Sequence, residues 1–340
     1  MTDLMRSNQR LDVAGLGNAL IDALVRVDDE RILDTLDLKR GQMHPVDHET
    51  WQRAYDLVAP LGIEIQSGGS CANTVATLGL MGLQGSYCGQ VGDDEYGTLY
   101  GNSLMECCGQ HELSKSAAQP TGKCLSIISG VDAERTLLSD LGAAVTMSQL
   151  GDFREVIRSS RVLHITGYLL LGDPMRQRAF EAIHIANDSG VKVSLDVADP
   201  FVVGAVGSVM WDAIELADIV FCNEMEAMAL CGGTPKDALS ALSESVDTVV
   251  VKLGSRGSLI SHMGQRYTVG IHPVSPVDTT GAGDAYAAGF LYGLLAGWSP
   301  DRAGDLGSRI AALTVGRLGA VVRDRVALAQ AIRAVTDTQE

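Results

Sequence analysis

Three short stretches of this 340-residue chain carry residue types and spacings that could do chemistry. The first is Asp278–Leu291, DTTGAGDAYAAGFL, where Gly281, Ala282 and Gly283 directly precede Asp284. An apolar, uncharged run follows, which predicts a buried helix starting at the glycines. A helix start offers unpaired N–H groups and the positive end of the dipole, so it attracts anions. A carboxylate in that turn makes sense if Asp284 removes a proton from a hydroxyl while Gly281, Ala282 and Gly283 hold negative charge. The second stretch is Gly68-Gly69-Ser70-Cys71-Ala72-Asn73. Its glycines form a turn into a helix of small residues over Cys71–Gly79, with Asn73 aimed back at the helix start. The plain alternative is an ordinary loop-to-helix junction with Ser70 as N-cap. The third is Asn223–Glu226, which reads either as a capping box or as a place where Glu226 orients waters around Mg²⁺.

Other candidates are single residues. Asp22 stands among Ala, Leu, Ile and Val in Asn18–Val27. It lies either on the wet face of a strand or at a contact to hydroxyl groups. Arg135 is the only base in 124–144, a turn residue that is either solvated or a phosphate contact. Lys252 is the last but one residue of the run Thr248–Leu253, and Gly254 and Gly257 bound the turn after it.

The elements that must position these residues are legible as a pattern. From residue 154 onward, strands (161–166, 191–197, 219–222, 248–253) alternate with helices (174–189, 210–216, 224–231). That alternation implies right-handed βαβ units and a parallel sheet covered on both faces. Ligands of such sheets bind beyond the carboxyl ends of the strands, where Gly69, Asn223, Gly254 and Gly281–Asp284 would converge. The first third has more strand-turn-strand texture and predicts a small β-rich flap, with charged residues 28–41 helical and then turning. There is no linker, repeat or low-complexity tract. One domain over 10–335 with a lid drawn from about 18–48 and 120–142 is the simplest organisation.

Composition bounds the function classes. The net charge of −16 with no basic stripe argues against nucleic acid. Seven cysteines without metal-ligand spacing predict reduced thiols in a cytoplasmic protein. The start lacks an apolar signal core, and no apolar run is long enough to span a bilayer. The overall acidity says little about a small substrate, because the field at a site can differ from the total. Two anion-holding helix starts and an acid fit phosphoryl transfer to a hydroxyl, and the absence of a Walker A motif places the phosphates outside a P-loop.

In order, Gly68–Asn73, Asn223–Glu226 and Asp278–Leu291 resemble the three signatures of the ribokinase-like (PfkB) family of small-molecule kinases, along most of the chain. Within the family the chain is most similar to the adenosine kinases, through Gly17-Asn18 with Asp22, Pro120–Cys124, Arg135–Ala144 and Ala198–Phe201. The resemblance implies an α/β three-layer sandwich with a mostly parallel central sheet and a small β-rich lid. It implies an enzyme that uses ATP and Mg²⁺ to phosphorylate the 5′-hydroxyl of a nucleoside, adenosine giving AMP. Asp284 would be the base and Gly281, Ala282 and Gly283 the anion hole. Asn18, Asp22, Gly68, Gly69 and Asn73 would serve the ribose, and Leu137, Leu141 and Phe201 the adenine. Arg135, Asn223, Glu226, Lys252, Gly254 and Gly257 would serve ATP. Relatives hold a monovalent cation near the segment matching Asp278–Thr280, so K⁺ is a further expectation. Tyr168-Leu169-Leu170 replaces the aromatic residues of many adenosine-kinase pockets, which keeps a sugar kinase (ribose, fructose or a keto-deoxy sugar acid) open. A silent ligand-binding regulator would have no need of Asp284. A monomer and a homodimer are both compatible with the resemblance.

Overall fold

A computed structural model describes residues 11–132 and 134–337. Fourteen strands build two sheets. The large one holds β1 (Leu11–Leu16), β5 (Gly85–Gly92), β6 (Glu112–Ser116), β9 (Ser160–Thr166), β10 (Lys192–Asp196), β11 (Ile219–Asn223), β12 (Thr248–Lys252), β13 (Ser258–His262) and β14 (Gln265–Val269). Its order is β14-β13-β12-β11-β10-β9-β1-β5-β6. From β12 to β6 every pairing is parallel, and only the β12–β13 and β13–β14 pairs are antiparallel. The parallel strands are apolar almost throughout because both faces are covered. Leu163, Leu195 and Val220 pack into one core with the helix Met175–Asp188. On the other face Val162, Phe221 and Val250 meet Ala287 and Phe290 of the helix Ala282–Leu295. Phe221 and Phe290 stand edge to face at 5.6 Å.

The second sheet holds β2 (Leu20–Val27), β3 (Met43–Pro45), β4 (Glu64–Gly68), β7 (Gly122–Ser129) and β8 (Arg135–Asp140), ordered β3-β8-β7-β2-β4. Its pleat decides what each face does. Ala23, Val25 and Val27 of β2 join Leu125, Ile127 and Leu138 against Trp51 and Ala54 of the helix His48–Val58. The alternate positions Leu20 and Asp22, with Cys124, Ser126, Leu137 and Ser139, look into the cleft. Of this sheet β2, β3 and β4 come from the first third, where a flap was expected, and β7 and β8 from 122–140. One of its strands, β4, comes from 64–68, outside the two stretches expected to form the lid.

Local differences from the sequence reading have simple causes. Residues 28–41 hold only a five-residue helix, Arg31–Thr35, because Asp37 adopts φ 53° and turns the chain. The small-residue helix begins one residue early and runs Ser70–Leu80, with Gly69, not Ser70, at the N-cap.

Candidate active site

Helix starts and strand ends meet in one cleft of about 830 Å³ between the large sheet and the inner face of the small one. Asn18, Asp22, Gly69, Asn73, Arg135, Leu137, Leu141, Phe201, Asn223, Glu226, Lys252, Gly254, Gly257, Gly281, Ala282, Gly283 and Asp284 all line it. Gly68 does not. It lies under Asp22, where a Cβ would meet the Asp22 carboxylate at 2.1–2.5 Å, so only glycine lets that carboxylate stand over β4.

Asp284 sits in the first turn of Ala282–Leu295. The turn before it is braced by Asp278, which is fully buried. One of its carboxylate oxygens accepts from the Thr280 N–H at 2.8 Å and the Thr280 hydroxyl at 2.6 Å, and the other accepts from Gly319 N–H at 2.9 Å. Gly281 adopts φ 70°, and a Cβ there would lie 2.5 Å from the Ala320 methyl. Both conformation and space demand glycine. The Ala282 N–H turns back to the Thr279 carbonyl at 3.3 Å. Among the described residues the Gly281, Gly283 and Asp284 N–H groups have no hydrogen-bond acceptor, so they are open to a ligand.

The Asp284 carboxylate is held from another helix. Ser70 Oγ donates to Oδ1 at 2.7 Å and Asn73 Nδ2 donates to Oδ2 at 2.9 Å. This bears on two readings. Ser70 is not a cap, since the positive φ of Gly69 places the N-cap one residue earlier and frees the hydroxyl. Asn73, expected at ribose hydroxyls, gives an amide hydrogen to Asp284. Burial raises the Asp284 pKa above the ordinary carboxylate value, and the two donors act against that rise. Asp22 is pushed up to about 7, first by burial; Arg135 pulls it down, and the Asp284 and Asp278 carboxylates add to the rise. The Arg135 guanidinium has no ion-pair or hydrogen-bond partner among the described residues.

On the opposite side of the anion hole, Lys252 Nζ pairs with Asp196 Oδ2 at 2.7 Å, both side chains largely buried. A Cβ on Gly283 would lie 3.1 Å from that ammonium, so its charge stands against the helix start. Burial works against the charged lysine, but the Asp196 and Glu226 carboxylates outweigh it and raise its pKa. Asp196 was missed in the sequence, although an acid at the carboxyl end of a predicted parallel strand is itself a signal.

Asn223 and Glu226 form a complete capping box. The Asn223 side chain accepts from Glu226 N–H at 2.9 Å, and the Asn223 N–H donates to Glu226 Oε2 at 2.7 Å; Asn223 Nδ2 also bonds Oε1. Burial, with Asp196 adding, raises the Glu226 pKa. No cluster of three or more His, Cys, Asp or Glu side chains able to hold a metal occurs among the described residues. A Mg²⁺ ion brought with phosphates would have the Glu226 carboxylate within the same cleft as a contact through water.

A carboxylate, Asp284, a helix start with open N–H groups and a buried ammonium, Lys252, thus meet in one cleft. A model described as pfkB family carbohydrate kinase matches residues 43–324, and the chain belongs to that family. It is 27% identical to the adenosine kinase of Saccharomyces cerevisiae, over 89% of this chain and 94% of that one. It is also 27% identical to the 5-dehydro-2-deoxygluconokinase of Shouchella clausii, over 74% and 80%. Among solved structures, a probable sugar kinase from Rhizobium etli matches with TM-score 0.88 and 28% identity, over 96% of this chain and 99% of that one. The adenosine kinase from Sinorhizobium meliloti matches with TM-score 0.86 and 31% identity over the same shares. The fold is thus the ribokinase-like α/β architecture expected, and the enzyme is a sugar or nucleoside kinase. No helix among the described residues is long and apolar enough to cross a membrane.

Proposed function

We propose that the protein transfers the γ-phosphoryl group of ATP to the 5′-hydroxyl of a nucleoside, with adenosine as the first candidate. The observation that carries the nucleoside reading is the acceptor half of the cleft. Leu20, Met43, Pro45, Leu137, Leu141 and Leu171 give apolar lining to the cleft that the Asp22 carboxylate shares. A flat base needs such a lining and vicinal ribose hydroxyls need such a carboxylate, whereas a free sugar would leave the apolar surface wet. Phe201, 53% exposed at the rim, adds an aromatic face.

In this reading the acceptor O–H bond breaks and its proton passes to Asp284. The oxygen forms a bond to the γ-phosphorus, the bridging P–O bond breaks, and ADP leaves. The Gly283 and Asp284 N–H groups and the Lys252 ammonium stand where charge develops, already oriented and partly dry. Asp22 orients the ribose. Glu226 holds water toward the phosphates. Mg²⁺ bound with ATP supplies further neutralisation of phosphate charge. Gly254 and Gly257 flank the ATP side. K⁺ near Asp278–Thr280 is carried over from the family, as is one compact kinase domain with a lid.

A second reading has its own observation. Arg135 looks into the acceptor half without a protein partner, which suits an anionic acceptor such as a sugar acid. A panel of nucleosides, neutral sugars and sugar acids, assayed for ATP consumption, separates the two. Turnover with adenosine supports the first reading. Turnover confined to free sugars or sugar acids overturns it, and no turnover on any acceptor revives a ligand-binding regulator.

A further inference from the structure

We propose that Ser70 is a positioning residue for the base: the start of the Ser70–Leu80 helix aims the proton-accepting carboxylate that another helix carries. The inference rests on the reading of Asp284 as the base. Ser70 and Asp284 are 214 positions apart in sequence, yet Ser70 Oγ lies 2.7 Å from Oδ1. Asn73, one turn further along the same helix face, takes Oδ2 at 2.9 Å. Thr74 Oγ1 lies 3.3 Å from the Asp284 carbonyl oxygen, so the contact extends from side chain to backbone. Each carboxylate oxygen is thereby fixed by its own donor, and rotation about the carboxylate bond would break both.

The hydroxyl is available for this because its own helix does not use it. Gly69 holds the N-cap, and the Asn73 N–H is satisfied by the Gly69 carbonyl at 2.9 Å. A carboxylate offers about four acceptor positions. Two are filled, so an acceptor hydroxyl takes a third whose direction the two donors have set. Hydrogen bonds to the charged form also favour it, so Ser70 works against the burial that would otherwise keep the base protonated.

A serine that merely starts a helix would, when removed, lower activity by the same factor at every pH. The test is kcat and KM for adenosine from about pH 5 to about pH 9 for the wild type, Ser70→Ala and Ser70→Thr, with Tm measured on each. Ser70→Ala is expected to lose about tenfold in kcat/KM on the acid side and much less on the alkaline plateau, the factor that goes with one pH unit in the acid limb. The loss falls mainly in kcat, and Ser70→Thr, which keeps the hydroxyl, restores the profile. An Ala variant with the wild-type profile, or with a uniform loss at every pH, overturns the inference and leaves the kinase reading standing. A wild type inactive on adenosine and on every other acceptor removes the kinase reading itself, and this role with it. If Ser70→Ala does not fold, the Thr variant decides: a displaced acid limb there contradicts the role, and a retained one supports it.

Discussion

The Lys252–Asp196 pair allows catalysis to be separated from stability. Lys252→Met keeps the length and apolar stem of the side chain but removes its charge, leaving the Asp196 carboxylate alone in a site where its side chain is 6% exposed. Breaking a buried pair in this way costs about 3–5 kcal/mol. For a chain of this size the unfolding entropy, about 2 cal/mol/K per residue, converts that into a fall in Tm of roughly 4–7 °C. Lys252→Met combined with Asp196→Asn removes the stranded charge and should recover most of that loss. Activity should not follow stability. The ammonium stands against Gly283 at the anion hole, so removing it should lower kcat by about 10²–10³ in the single and the double variant alike. Scanning calorimetry at one heating rate, with steady-state kinetics on the same preparations, reads both effects. A double variant that regains near-wild-type kcat would refute the idea that Lys252 acts on transferred charge. A single variant with unchanged Tm would refute the claim that the pair is buried and dry.

Other predictions follow from the same geometry. Asp22 is held up to about 7 in the folded protein, against 3.8 ordinarily. A carboxyl whose folded pKa is raised binds more protons folded than unfolded, so its contribution favours the fold below about pH 4 and is lost as pH rises to 7. Asp22→Asn should therefore stabilise the unliganded protein at pH 8 relative to pH 4, by well under the ~4 kcal/mol of a three-unit shift because the cleft admits water. The same variant should raise KM for the acceptor more than KM for ATP; equal pH dependence of Tm in both proteins would count against the buried carboxylate. Gly281→Ala meets φ 70° and the Ala320 methyl together. It should cost about 1–2 kcal/mol of stability from conformation alone and lower kcat through displacement of the anion hole, and wild-type kinetics in that variant would contradict the geometry. Glu226→Gln removes a carboxylate from the capping box and from the phosphate side. It should raise the Mg²⁺ concentration for half-maximal rate while leaving adenosine binding unchanged, and an unchanged Mg²⁺ titration would assign Glu226 to the cap alone.

How far the sequence reached can be judged from particular residues. The Gly281–Asp284 turn and the parallel sheet were readable because both are local: a glycine-rich turn before an apolar helix, and strand–helix alternation. Asp22 was readable only as a choice between two roles. The pleat of β2 gives its place, with Ala23, Val25 and Val27 on the packed face and Asp22 on the cleft face. For Ser70 the sequence offered only a cap as one of two readings, because capping preferences describe one helix at a time and its partner comes from the far end of the chain. Asp196 escaped for a similar reason, since only the adjacency of β10 and β11, with β12 next, brings it to Lys252. The β4 strand of the small sheet lay outside the expected lid segments because its pairing with β2 is long-range and its sequence, EIQSG, has little strand character.

The central claim is that Asp284 takes the proton of an acceptor hydroxyl during phosphoryl transfer. Single-turnover transfer from ATP to adenosine by Asp284→Asn, with adenosine and ATP affinities measured separately, tests it most directly. The account predicts a rate roughly 10²–10⁴ below wild type with both affinities largely kept. Transfer at close to the wild-type rate would contradict it.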